Sequence, residues 1–124
     1  MSNKKIIIAL DNNDNITQIL DLITELKNES FAFKIGYEFF FNFGIDGYKL
    51  IQNQNVKIFL DLKLHDIPNT VKNGIQAISK LNPFFTTIHI SGGDDMQNAA
   101  VFSKNNIKIL GVSILTSLDE KQTE

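Results

Sequence analysis

The feature that most constrains the fold is a regular alternation of short apolar segments with amphipathic ones. The first apolar segment, residues 5–10, lacks the every-other-residue pattern of a half-exposed strand, which is typical of a strand covered on both faces in a parallel sheet. The intervening segments have helical periodicity, as right-handed crossovers between parallel strands require. The sequence therefore predicts an α/β fold.

The predicted elements follow one another without a linker or repeat. The strands are predicted at residues 5–10, 31–35, 57–64, 84–90 and 107–115. The helices are predicted from a cap at Asp14 or Asn15 to about Lys27, at 37–43 and 45–54 with a break near Gly44, from Pro68 to about Leu81, and from a turn at 91–93 to about Lys104. Proline suits the first turn of a helix and stops one that would otherwise continue, as Pro83 does.

Two architectures satisfy this pattern, an open doubly wound sheet and a closed barrel. The open sheet usually has a glycine-rich turn after its first strand, whereas this turn (residues 11–14) contains no glycine. Polar side chains instead occur at successive strand ends: Asp11, Lys34, Asp61, Lys63, His89 and Thr116. In a barrel these ends converge on one mouth, so we predict a (β/α)8 TIM barrel of which this chain covers roughly the first five strands.

A complete barrel of this type has about 250 residues, and this sequence has 124. We therefore expect residues 1–124 to be a partial chain of a single barrel domain whose remaining strands are absent. Alone, such a chain would leave an unpaired parallel edge, which favours aggregation.

Composition narrows the function. With 43% hydrophobic and 21% charged residues, the chain can bury a core. A net charge of -2 gives no reason to expect nucleic acid or a membrane as a partner. The absence of cysteine excludes disulfides and thiolate chemistry. The apolar run at 6–10 is too short for a signal peptide, and no run approaches a membrane span, so we expect a cytoplasmic protein.

The segment around Lys63 has the clearest chemical pattern. In an extended strand, Phe59, Asp61 and Lys63 share one face and the intervening leucines share the other. Opposite charges in a barrel mouth must be paired. Asp66 can add a second carboxylate, and Lys34 on the neighbouring strand can add a second ammonium.

Carboxylates around Lys63 favour its protonated form, which suits a general acid that stabilises and then protonates a carbanion. The alternative is a purely structural salt-bridge cluster. That alternative is preferable for one Asp–Lys pair, but two aspartates, a lysine and a proline-capped helix start together favour a catalytic site.

Residues 61–70 resemble the signature of the orotidine 5'-phosphate decarboxylases. They read Asp61-Leu62-Lys63-Leu64-His65-Asp66-Ile67-Pro68-Asn69-Thr70. Further matches in the expected order are Ala9-Leu10-Asp11, Phe33-Lys34-Ile35-Gly36, Glu38-Phe39-Phe40, His89-Ile90-Ser91-Gly92-Gly93 and Leu115-Thr116-Ser117. The resemblance covers nearly the whole chain.

The resemblance implies conversion of orotidine 5'-phosphate to uridine 5'-phosphate and carbon dioxide in pyrimidine biosynthesis. It implies that Lys63 protonates C6 of the pyrimidine, with Asp61 beside the substrate carboxylate. Lys34 would bridge Asp61 and the ribose hydroxyls, Asp11 would bind the ribose, and Thr116 would contact the pyrimidine.

The resemblance also implies a homodimer in which Asp66 reaches into the partner's site, with Ile67 and Thr70 lining that site. It implies neither a metal nor an organic cofactor. The family's phosphate-gripping arginine and closing loop belong to the half that is not in this sequence. We therefore expect the isolated chain to be inactive or nearly so, because remote phosphate binding supports the chemical step.

Two other functions remain open at this point. A 3-keto-gulonate 6-phosphate decarboxylase shares the Asp-x-Lys-x-x-Asp core but binds a metal ion, and residues 67–70 favour the orotidine branch. A non-catalytic chain that binds a ligand or another barrel half is the other alternative.

Three further features have simpler interpretations. His65 and His89 are expected to pack or form hydrogen bonds rather than to bind a metal. Residues 91–93 are expected to form a tight turn rather than a phosphate cradle. The phenylalanines at 39–43 are expected to serve core or dimer packing.

Overall fold

A computed structural model of the protein describes residues 5–11, 15–103 and 106–113. The strands are β1 (Ile7–Ala9), β2 (Ala32–Gly36), β3 (Ile58–Leu64), β4 (Phe85–His89) and β5 (Lys108–Val112). The helices are α1 (Ile16–Leu26), α2 (Tyr37–Gln52), α3 (Pro68–Ser79) and α4 (Asp94–Ser103). The predicted alternation is confirmed. The tight turn expected at residues 91–93 is a 3-10 turn at Ile90–Gly92.

Strand order decides between the two predicted architectures. The described strands are hydrogen-bonded neighbours in the order β1-β2-β3-β4-β5, and the β1–β2 and β2–β3 pairs are parallel. In a doubly wound sheet the order in which strands are added reverses at a switch point, whereas in a barrel each strand lies beside the previous one in the sequence. The order therefore agrees with the first five strands of a TIM barrel, as predicted.

The local signals read from the sequence act as expected. The Asn15 side chain caps α1 by accepting hydrogen bonds from the backbone N–H groups of Thr17 and Gln18. Pro68 is the first residue of α3. The break in α2 falls at Gly44, which has a φ of 65°, a backbone conformation that glycine adopts at little cost.

The described residues form two compact units. The first unit contains the described residues up to Leu62 together with Pro83–Phe85. The second unit contains Lys63–Asn82 and the described residues from Thr86 onward. In the first unit, α2 packs against α1 and β2, and the large side chains that are fully buried are Ile19, Ile23, Phe33, Ile35, Tyr48, Ile51 and Leu60. In the second unit, α3 packs against α4, and Val71, Ile75, Met96 and Ala100 are buried.

The phenylalanines of α2 divide between core and surface. Phe39 is buried and packs against Phe43, with ring centroids 5.1 Å apart. Phe41 is 84% exposed and is accompanied one turn earlier by the exposed ring of Tyr37. The core role expected for residues 39–43 thus applies to Phe39 but not to Phe41. Within the described residues, no helix is both long and apolar enough to cross a membrane.

The buried Tyr48 should make stability sensitive to alkaline pH. Burial raises the pKa of its hydroxyl far above the ordinary value of 10.0. The native pKa exceeds the unfolded one, so this contribution to stability is fully present below pH 10.0 and is lost as the pH rises above that value. We expect Tyr48→Phe to weaken the alkaline fall in the free energy of unfolding, measured by urea denaturation of the complete protein. Tyr37→Phe, at an exposed ring, is the matched control and should behave as the parent does.

Candidate active site

The register between β2 and β3 places two charged residues side by side. Lys34 is aligned with Phe59 and Gly36 with Asp61. Because side chains alternate along a strand, Lys34 and Asp61 share one face of the sheet. The other face carries the buried side chains of Phe33, Ile35, Ile58 and Leu60. The predicted separation of a charged face from an apolar face is therefore confirmed for this strand pair.

Lys34 and Asp61 form an ion pair at the sheet surface. The Lys34 Nζ lies 4.0 Å from Asp61 Oδ2, and the two side chains are 33% and 11% exposed. Partial burial strengthens the attraction relative to a fully solvated pair, while the exposed lysine keeps it sensitive to salt. The pair places one cationic and one anionic group together on this face of the sheet.

Gly36 lets the two strands approach closely beside this pair. A Cβ atom at Gly36 would lie 3.3 Å from the backbone oxygen of Asp61, tighter than an ordinary contact. A larger residue here would push β2 away from the carboxylate-bearing segment of β3. The glycine that ends the second predicted strand thus has a packing role at the candidate site.

Asp11 lies just beyond β1 and close to this strand pair in register. Ala9 is aligned with Lys34, and the backbone N–H of Leu10 donates to the Lys34 carbonyl at 2.9 Å. Asp11 follows with an exposed side chain. The structure therefore brings the strand ends that carry Asp11, Lys34 and Asp61 together, as the barrel prediction requires.

Lys63 departs from the extended geometry that the sequence predicts. Its φ is 51°, in the left-handed region that residues with side chains seldom occupy. Its backbone N–H donates to the Thr87 side-chain oxygen at 2.9 Å. The alternation rule assumes an extended backbone at each position, so it does not determine the direction of the Lys63 side chain, and a face shared with Phe59 and Asp61 stays a prediction.

Asp66, Ile67 and Thr70 are all exposed at the start of α3. An oxygen of the Asp66 carboxylate accepts from the backbone N–H of Ile67 at 2.7 Å. Ile67 is the N-cap residue, and its carbonyl accepts from the N–H groups of Thr70 and Val71. The helix start therefore presents a carboxylate, an apolar side chain and a hydroxyl side chain to the surroundings.

The two histidines lie beside each other in the second unit. The rings of His65 and His89 have centroids 5.1 Å apart, which agrees with the expected packing. A Cβ atom on Gly92 would overlap the Sδ of Met96, so the turn after β4 packs tightly on α4.

The part of the chain that the structure describes contains no group of three or more His, Asp or Glu residues placed to hold a metal. Thr116 lies outside the described residues.

The contact from Thr87 was not predicted from the sequence. Threonine is common in strands, so its position in an apolar strand carries no functional signal. Its partner lies 24 residues away in the chain. Only the folded structure identifies this side chain as a neighbour of Lys63.

The strand order and the charged residues at the strand ends define a TIM-barrel protein of the kind that carries a site at the C-terminal edge of its sheet. The family model described as "Orotidine 5'-phosphate decarboxylase / HUMPS family" matches residues 4–124, and the chain belongs to this family. The family resemblance read from residues 61–70 is thereby confirmed.

Individual relatives agree with this assignment. The chain is 46% identical over 117 residues to an orotidine 5'-phosphate decarboxylase of Ehrlichia canis, covering 93% of this chain and 51% of the relative. A relative of the same name from Malacoplasma penetrans is 41% identical, and the match covers 100% of this chain and 55% of the relative. The chain thus spans about half the length of the curated relatives it matches.

Solved structures show the same fold. The Lactobacillus acidophilus orotidine 5'-phosphate decarboxylase superposes with a TM-score of 0.83 at 40% identity, covering 96% of this chain and 57% of that chain. The Methanocaldococcus jannaschii orotidine 5'-monophosphate decarboxylase, solved with the inhibitor BMP, superposes with a TM-score of 0.78 at 25% identity, covering 87% and 51%.

A double-mutant cycle will measure the Lys34–Asp61 attraction. Lys34→Met and Asp61→Asn should couple by about 0.5–1 kcal/mol in the free energy of unfolding, because the charges are 4.0 Å apart and only partly exposed. The control cycle replaces Asp61→Asn with Asp21→Asn on α1 and should give a coupling near zero. Equal couplings in the two cycles would show that the 4.0 Å contact contributes nothing specific.

Proposed function

We propose that the protein carrying this sequence converts orotidine 5'-phosphate to uridine 5'-phosphate and carbon dioxide, a step of pyrimidine biosynthesis. The observation that carries this proposal is the segment at 61–70, which has the signature sequence and joins β3 to α3. The names of relatives at 41% and 46% identity support it. Because the chain spans about half of each relative, the activity is proposed for the complete protein.

In the proposed reaction, Lys63 is the proton donor. The bond between C6 of the pyrimidine and the carboxylate carbon breaks, carbon dioxide leaves, and the electron pair remains on C6. The Lys63 ammonium stabilises this charge and transfers a proton to C6, after which solvent reprotonates the amine. A proton satisfies the electron pair, so the proposed chemistry needs neither a metal nor an organic cofactor.

The charged strand ends of the first unit are proposed to bind and orient the substrate. Asp61 would stand beside the substrate carboxylate and orient Lys63. Lys34, 4.0 Å from Asp61, would connect that carboxylate to the ribose hydroxyls, and the exposed Asp11 would bind the ribose. Thr116 is proposed to contact the pyrimidine.

The start of α3 is proposed to serve a second subunit in a homodimer. Asp66 would reach into the partner's site, with Ile67 and Thr70 lining it. The exposure of this segment supports the proposal: Ile67 is an apolar side chain that is 65% exposed. A partner that covered Ile67 would remove its apolar surface from water, which would stabilise the dimer.

We also propose that residues 1–124 form the N-terminal part of one barrel domain and that the complete protein is cytoplasmic. The share of each relative that the chain covers, 51% and 55%, supports the first statement. The remaining strands would supply the phosphate grip.

Replacing Lys63 in the complete protein is the first test. Lys63→Ala should lower kcat by about 10²–10⁴-fold, because it removes the proposed proton donor. Decarboxylation is followed by the change in pyrimidine absorbance. Lys72→Ala, at an exposed lysine on α3, is the matched control and should leave kcat unchanged. A folded parent that does not turn over orotidine 5'-phosphate would refute the assignment, and metal-dependent turnover of a keto-sugar phosphate would favour the other decarboxylase.

Mixing two inactive variants tests whether the site is shared. Lys63→Ala and Asp66→Ala each damage both sites of their own homodimer. If Asp66 acts in the partner's site, a heterodimer of the two variants has one intact site. Subunit exchange should then restore up to about a quarter of parental activity, given random pairing of subunits in a twofold dimer. Activity that stays at the level of the separate variants would contradict a shared site.

A further inference from the structure

We infer that Thr87 is a positioning residue for Lys63, whose left-handed backbone it holds in place for proton transfer. The inference deepens the proposed function and rests on it, since it assumes that Lys63 delivers the proton. It concerns a residue of β4 that lies outside the family signature at 61–70.

The backbone of Lys63 needs an external contact to hold it. Its φ of 51° lies where a long side chain is disfavoured, yet it occurs inside β3. Such conformations persist only where the surrounding structure over-determines them, and they concentrate at functional sites. At this position the N–H donates to a side-chain oxygen, 2.9 Å away on Thr87.

Thr87 is well suited to act as a fixed acceptor. Thr87 is only 3% exposed, so water cannot readily replace its hydroxyl as the acceptor. Its β-branched side chain has few rotamers within a strand, which fixes the oxygen in place. Loss of this acceptor would remove a part-buried hydrogen bond of 2.9 Å, so the native bond favours the observed conformation of Lys63.

The position of the Lys63 backbone determines where its ammonium can reach. Proton transfer depends on distance and alignment, and a displacement of about 1 Å can slow a reaction by about 10²-fold. Substrate affinity is proposed to depend on other groups, among them Asp11 and Lys34. Removing the Thr87 acceptor should therefore lower kcat and leave ligand affinity nearly unchanged.

The neighbouring Thr86 provides a control for general damage to the core. It is 0% exposed, even more buried than Thr87, and lies in the same strand. If Thr87 served only packing, Thr86→Val and Thr87→Val would have similar effects on kcat. A positioning role predicts that only the second substitution affects catalysis.

The experiment compares four variants of the complete protein: Thr87→Val, Thr87→Ala, Thr87→Ser and Thr86→Val. We expect Thr87→Val to lower kcat by about 10–100-fold, with the affinity for uridine 5'-phosphate nearly unchanged. Thr87→Ser keeps the hydroxyl and should retain most of the parental kcat. Thr86→Val should retain parental kcat. Thr87→Ala removes the acceptor without adding a methyl group and replaces Thr87→Val if the valine variant does not fold.

A second measurement does not depend on activity. Hydrogen exchange of the Lys63 amide, followed by NMR, should accelerate in Thr87→Val and Thr87→Ala but not in Thr87→Ser or Thr86→Val. Parental kcat or unchanged Lys63 exchange in the acceptor-free variants would overturn the inference. If the parent itself shows no turnover, the proposed function fails, and the exchange data still decide whether Thr87 fixes the Lys63 backbone.

Discussion

The parallel register of β2 on β3 is the constraint on which the candidate site depends. A shift of one residue would move Lys34 to the opposite face, because side chains alternate along each strand. Four buried side chains on the other face, Phe33, Ile35, Ile58 and Leu60, fix that register. Burying each is worth about 1.5–3 kcal/mol, whereas a half-exposed ion pair contributes about 0–1 kcal/mol. Apolar burial therefore places the charges, and the ion pair follows from it.

The sequence predicted most of the fold because the relevant signals are local. The Asn15 cap, the Pro68 start of α3 and the Gly44 break in α2 each act within a few residues of themselves, and all three are confirmed. The preference for a barrel over an open sheet rested on a glycine-free first turn and on charged strand ends. The observed strand order supports that choice.

The sequence could not predict the geometry at Lys63. The alternation rule treats every residue of a strand as extended, and a single left-handed residue breaks it without altering the residue pattern. The acceptor is 24 residues away, on a threonine that looks ordinary for a strand. By contrast, the tight turn expected at residues 91–93 is present as a 3-10 turn at Ile90–Gly92, and the contact between Gly92 and Met96 of α4 is the part that the sequence could not predict.

The two faces of β3 separate the residues that stabilise the sheet from the residues proposed to act on the substrate. Stability comes mainly from the apolar face, where Ile58 and Leu60 are buried, whereas the partly exposed ion pair of Lys34 and Asp61 on the other face contributes about 0–1 kcal/mol. Residues on the charged face can therefore change with little cost to folding, which is the usual basis for functional variety among barrels. The exposed start of α3 has the same freedom. Because Ile67 and Thr70 are exposed, their identities can change at little cost to the core, so the partner contact proposed for them does not compete with folding.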